Sequence, residues 1–167
     1  VGEWTSWLAL VIVVLMATNV ILRYLFSAGS VWAQELEWHL HAALFLTWIG
    51  FCYVRNAHVR IDVFTGALSD RKQAWLELFG CLVFALPYVI VALPYAWDFF
   101  HESYRQGESS SAPNGLPARF VIKFFLWFGF ASILAAVISV FFRRVVFLFG
   151  SPDDAAAAMP NIAKAAH

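Results

Sequence analysis

The residues best equipped for chemistry in this chain are its histidines, and the chemistry they would suit is haem ligation. His39, His41, His58 and His101 lie close to long apolar runs, and four-helix membrane cytochromes hold haem between histidines facing inward from two helices. Helical spacing puts His39 and His41 on different faces, however, while His58 falls in a polar loop and His101 just beyond the third apolar run. No two of them share a depth on two spans. A haem-carrying membrane anchor is therefore kept as the alternative reading. Ser109 to Ser111 offer hydroxyls without an evident base. The chain has no CxxC, HExxH or glycine-rich phosphate loop. Cys52 and Cys81 sit in apolar runs and read as small buried hydrophobes. No catalytic, cofactor-binding or metal-binding residue is expected, and neither is an enzyme.

The elements that would position these residues are set by lipid. Of 167 residues, 62% are hydrophobic, 18% aromatic and only 13% charged, with a mean hydropathy of +0.71. Soluble domains carry about 25% charged residues, so a bilayer is the main solvent. A net charge of zero gives no footing for nucleic acid. Four apolar runs, about 4–22, 36–54, 75–97 and 120–142, each approach the roughly 20 residues that cross a hydrocarbon core. The centres of these runs carry almost no polar groups, so the chain alone is a poor candidate for an ion or solute path.

The polar residues gather at the ends. Glu35, Glu37, His39 and His41 open the second run, and Arg23 closes the first. An ionisable group inside a membrane faces protein or sits near an end, so an Arg23–Glu35 pair across the first hairpin is the preferred assignment, against interfacial water for both. Arg55 to Lys72 is the longest polar interruption. It holds Arg55, Arg60, Arg71 and Lys72, and Arg143 and Arg144 follow the fourth run, against Arg23, Arg105, Arg119 and Lys123 in the other two loops. The positive-inside rule then places the central loop and both termini in the cytoplasm. Within that loop Val59, Ile61, Val63 and Phe64 alternate with Arg60 and Asp62, a pattern suited to the membrane interface.

Ser69-Asp70 reads as a helix start. In the third run Pro87 and Pro94 predict a kinked or locally unwound helix. Lys123, one turn inside the fourth run, is placed to snorkel to the interface. The fold class expected is an all-α membrane protein of four transmembrane helices, N-in and C-in, with a cytoplasmic interfacial segment between helices 2 and 3. One domain is expected over 1–144 and a flexible cytoplasmic tail over 145–167.

These segments resemble the small, Q-type (DctQ-like) membrane subunit of tripartite ATP-independent periplasmic (TRAP) transporters. The resemblance rests on Asn19 to Phe26 (NVILRYLF), Trp32 to Leu36 (WAQEL), His58 to Val63 (HVRIDV), Glu108-Ser109, and Gly115-Leu116-Pro117 followed by Lys123, and it extends to about Arg144. Each motif is weak alone; their order among four spans is specific. Ser110 to Asn114 departs from the family's usual approach to Gly-Leu-Pro, with Asn114 where glycine is common.

The resemblance implies a secondary transporter of the bacterial inner membrane. A periplasmic solute-binding protein delivers an organic acid or related solute, and a large, M-type membrane subunit carries it inward by an elevator motion coupled to Na+ or H+. The small subunit would hold no cofactor, substrate or ion site and would widen the scaffold. Ten residues are the candidates for interface or structural roles: Arg23 and Glu35 in the first hairpin, Arg55, His58, Arg60 and Asp62 on the cytoplasmic face, and Glu108, Gly115, Pro117 and Lys123 around the outer loop. For the HVRID segment, capping of the hairpin is the simpler reading beside a specific subunit contact.

Overall fold

The computed structural model describes residues 2–54 and 68–151, with side chains described from Trp7 to Gly50, at Cys52 and from Leu68 to Ser151. The described residues form four helices and no strand: α1 (Gly2–Phe26), α2 (Val31–Val54), α3 (Asp70–Gln106) and α4 (Phe120–Phe149). Trp7–Phe26, Asp70–Gln106 and Phe120–Phe149 are long and apolar enough to cross a membrane. α2 is not among them, because Glu35, Glu37, His39 and His41 dilute its hydrophobicity. α4 continues to Phe149, so the tail does not begin at 145 as the sequence pattern suggests. The apolar residues Val145, Val146, Phe147 and Leu148 after Arg144 give the helix one more turn, and Leu148 is buried.

Local sequence explains the helix ends. Ser30 starts α2: its hydroxyl accepts from the Ala33 N–H at 3.3 Å and its carbonyl from the Gln34 N–H at 3.2 Å. At Ser69, an extended residue whose carbonyl accepts from the Lys72 and Gln73 amides, α3 begins where Ser69-Asp70 predicts. The helix is widened into a π turn over Cys81–Ala85, where the Leu86 N–H reaches back to the Cys81 carbonyl. Pro87 follows at once. A proline ring crowds the carbonyl four residues earlier, and the π turn relieves that crowding, which meets the expectation of local unwinding; at Pro94 the α-helix runs on.

Packing joins α1 to α2, α2 to α4 and α4 to α3, so the helices stand in an open row in that order. α2 and α4 run in the same direction and approach closely through small residues. A Cβ on Gly50 would fall 2.6 Å from Ser132 Oγ and 2.9 Å from the Ser132 carbonyl carbon, and one on Gly129 would lie 3.2 Å from Leu46 Cδ2. Membrane helices without a hydrophobic drive between them rely on such close contact. The apolar core is small, Cys81, Val137 and Val140 with Ala85, Leu86, Ile133 and Phe141 around them.

Candidate functional site

The polar residues brought together around α3 and α4 form two clusters, one near each end of that hairpin. The larger lies where α2 starts and the α3–α4 loop turns. Glu35 is 6% exposed. Its carboxylate accepts a hydrogen bond from Ser110 Oγ and, at 2.7 Å, one from the Leu116 N–H. The loop fits this carboxylate because residue 115 is glycine: a Cβ there would come within 2.8 Å of Glu35 Oε2 and collide with Ser110. Ser110 also holds the loop to itself, its hydroxyl accepting from the Ala112 N–H at 3.1 Å and its own N–H donating to the Leu116 carbonyl at 3.0 Å.

Beside it, Glu108 ties the two sides of the α3–α4 hairpin. Ser103 Oγ, 2% exposed with its residue, donates to Glu108 Oε2 at 2.6 Å, and Lys123 Nζ on α4 pairs with the same oxygen. Lys123 also lies 3.9 Å from the centroid of the Phe99 ring. The Lys123 hydrogen bond, then that from Ser103, hold the Glu108 carboxyl below the ordinary carboxylate range; burial opposes them, and the charges of Lys123 and Arg119 add to them. The Arg119 N–H donates to the Glu108 carbonyl at 2.9 Å, which fixes the entry to α4.

At the other end Arg144 of α4, 8% exposed, pairs through Nε with Glu77 of α3. Between α1 and α2, Asn19 Nδ2 donates to Glu37 Oε1 at 3.0 Å, and Glu37 is 9% exposed.

Several sequence expectations are corrected by this geometry. Arg23 does not pair with Glu35. The Glu35 carboxylate is taken by the loop, whereas Arg23 is exposed and lies 5.4 Å from the Tyr24 ring centroid; Asn19 with Glu37 bridges that hairpin instead. Lys123, one turn inside α4, sends its amine to Glu108 in the α3–α4 loop and over the Phe99 ring. Ser110, which the sequence marks only as a hydroxyl without an evident base, is a central donor. Glu35, Glu108, Gly115 and Lys123 are thus drawn into one region, and Pro117 is exposed on the same loop. Arg55, His58, Arg60 and Asp62 lie outside the described residues.

Sequence reasoning missed Ser103, Asn19 with Glu37, and Glu77 with Arg144. Depth could have found the last pair, since Glu77 is in the first turns of the third run and Arg144 ends the fourth on the same side. Among the described residues no group of three His, Cys, Asp or Glu side chains is arranged to hold a metal ion. His39 Nδ1 lies 2.7 Å from the Glu35 carbonyl, and the His101 ring stacks on Trp97 at 6.3 Å.

The arrangement can clamp helices and shape a loop. No curated protein matches the chain. A family model described as the DctQ component of tripartite ATP-independent periplasmic transporters matches residues 12–147. That match takes in α2, α3, the α3–α4 loop, α1 from residue 12 onward and nearly all of α4. The chain belongs to the DctQ family, the small membrane component of TRAP transporters.

Proposed function

We propose that this chain is a non-catalytic scaffold subunit in the bacterial inner membrane, four times across the bilayer with both termini in the cytoplasm. It packs against a large, M-type subunit that carries out ion-coupled uptake of an organic acid or related solute delivered by a periplasmic binding protein. Coupling to Na+ or H+ belongs to that larger subunit.

The observation that carries this reading is the disposition of polar groups. Glu35, Glu37, Glu77, Glu108, Lys123 and Arg144 are engaged with partners inside the chain, where a transport path would leave such groups facing a cavity. What the helices turn outward is apolar, as at Leu10, Val13 and Val14 on α1 and Phe84, Ile90 and Val91 on α3. Such faces suit lipid and a second membrane protein alike. An elevator needs a fixed body to move against, and a row of helices enlarges that body in the plane of the bilayer.

The test is to tag the chain in its native cell, extract membranes in mild detergent and identify what co-elutes. A large polytopic membrane protein in about equal amount, together with loss of solute uptake when the chain is deleted, is the expected result. Co-elution of soluble redox subunits with a Soret absorbance would overturn the reading in favour of a haem-carrying anchor.

A further inference from the structure

The α3–α4 loop carries backbone in a conformation that its residue types do not favour. Asn114 and Ala118 have φ of 59° and 62°, in the left-handed region. Asparagine tolerates that region, but alanine is disfavoured there by the contact of its Cβ with the following carbonyl. A disfavoured residue persists where its surroundings over-determine it. Ala118 is held from both sides in this way. Two residues before it the Leu116 N–H is bound to Glu35, and immediately after it the Arg119 N–H is bound to the Glu108 carbonyl.

The two holds differ in origin. Glu108 belongs to the loop itself and reports on the α3–α4 hairpin alone. Glu35 belongs to α2, which comes from the first hairpin and reaches the loop from 81 positions away in sequence. Its two acceptor bonds are given by residues on opposite strands of the loop, Ser110 and Leu116, which are bonded to each other through backbone. Gly115 lets the carboxylate come between them.

We infer that Glu35 is a latch: it fixes the loop in a strained shape that depends on where the first hairpin stands relative to the second. If α2 shifts against α4, or the carboxylate is lost, the loop relaxes at Ala118 and its exposed residues Ser109, Ser111, Asn114 and Pro117 change position together. The outer surface of the loop is thereby coupled to the packing of the two hairpins. This coupling follows from the fold and does not depend on the transport role proposed for the chain.

The test uses the full chain in nanodiscs, with amide exchange as the readout. Glu35→Leu keeps a side chain of similar size and removes both acceptors. It is expected to speed exchange at Ser110 and Leu116 by at least about tenfold, the factor for losing a charge-assisted hydrogen bond, with α3 and α4 unchanged. Ser110→Ala, which leaves α2 untouched, should raise exchange at Leu116 by less. The strain is read by Ala118→Gly. It should raise the Tm of the wild-type chain by about 2–4 °C and do little in the Glu35→Leu background, where the strain is already relieved. Unchanged exchange at Leu116 in both Glu35→Leu and Ser110→Ala, or an equal gain from Ala118→Gly with and without Glu35, would overturn the latch.

Discussion

The α1–α2 and α3–α4 hairpins are fastened in different ways. α3 and α4 are clamped near both ends, by Glu108 with Lys123 at the loop and by Glu77 with Arg144 at the far end. Between the clamps runs a ladder of ring contacts, from Tyr104 with Phe120 at 5.3 Å to Trp97 with Trp127 at 5.3 Å, and further down Tyr88 with Phe130 at 6.2 Å. Among the described side chains, α1 is joined to α2 by an amide–carboxylate bond and by packing in which Ile12 is the buried hydrophobic residue of α1. The difference separates two jobs. α3 and α4 hold each other in position, whereas α1 presents most of its circumference to whatever surrounds the chain.

The comparison is broken most severely by attacking a clamp. Arg144→Met leaves the Glu77 carboxylate facing a place built for a guanidinium, and removing one partner of this part-buried pair should cost up to about 3 kcal/mol. Thermal unfolding in detergent should show a larger loss than any single substitution at the α2–α4 crossing or in α1. Replacing both residues, Glu77→Leu with Arg144→Met, should recover part of it, since the mutual charge of the pair is then removed together. If the single and double variants unfold alike, the pair is not what holds that end.

The junction between the hairpins comes next. Gly50→Val puts a branched side chain where even one methyl would sit 2.9 Å from the Ser132 backbone. α2 must move away from α4, at a cost of about 1–3 kcal/mol. Gly80→Ala is the contrast within α3, because an added Cβ there meets nothing within 4 Å. It should stabilise the chain by about 0.5–1 kcal/mol through the lost freedom of glycine in a helix. Opposite signs for the two substitutions would locate the tight packing at the α2–α4 crossing and away from the start of α3.

How much of this was legible in the sequence depends on whether a feature is periodic or relational. The apolar runs announce the helices because lipid acts on every residue of them, and Pro87 announces the altered turn because its ring acts locally. The polar pairings are relational. Arg23 and Glu35 face each other in a count of residues along two antiparallel runs, but the count cannot see the α3–α4 loop folding back over α2 to reach Glu35. Gly115 showed in sequence as part of a motif, yet its reason, the space taken by Ser110 and Glu35, exists in three dimensions alone. The same holds for Ser103, whose hydroxyl meets Glu108 across the left-handed turn at Gly107.

A milder way to sharpen the comparison is acid. The Glu108 carboxyl titrates below its unfolded value. The stability it gives the α3–α4 hairpin is therefore complete above the ordinary value of 4.5 and is lost as pH falls from there through the lowered one. Amide exchange at Arg119, whose N–H is bound to the Glu108 carbonyl, should rise relative to its intrinsic rate at each pH on acidification over that window. In Lys123→Met the rise should begin nearer the ordinary value, because the largest influence on Glu108 is gone. An unchanged acid profile in the variant would mean that Lys123 does not hold the carboxyl in solution.

The smallest effect is expected at the Asn19–Glu37 tie of the looser hairpin. Hydrogen bonds between membrane helices average about 0.6 kcal/mol, and Asn19→Leu removes one while adding apolar surface to a helix already bathed in it. Global stability should fall by no more than about 1 kcal/mol, since Glu37 keeps its place at the polar end of α2. The local consequence should be clearer than the global one: Asn19 sets the height of α1 against α2 at the polar end of that helix. A pair of spin labels, one on each helix on the loop side of the Asn19–Glu37 contact, should report a broader distance distribution in Asn19→Leu than in the wild type. The same labels placed across α3 and α4 should be unaffected. Broadening in both pairs would mean that the α3–α4 clamps depend on α1 and that the two hairpins are not fastened independently.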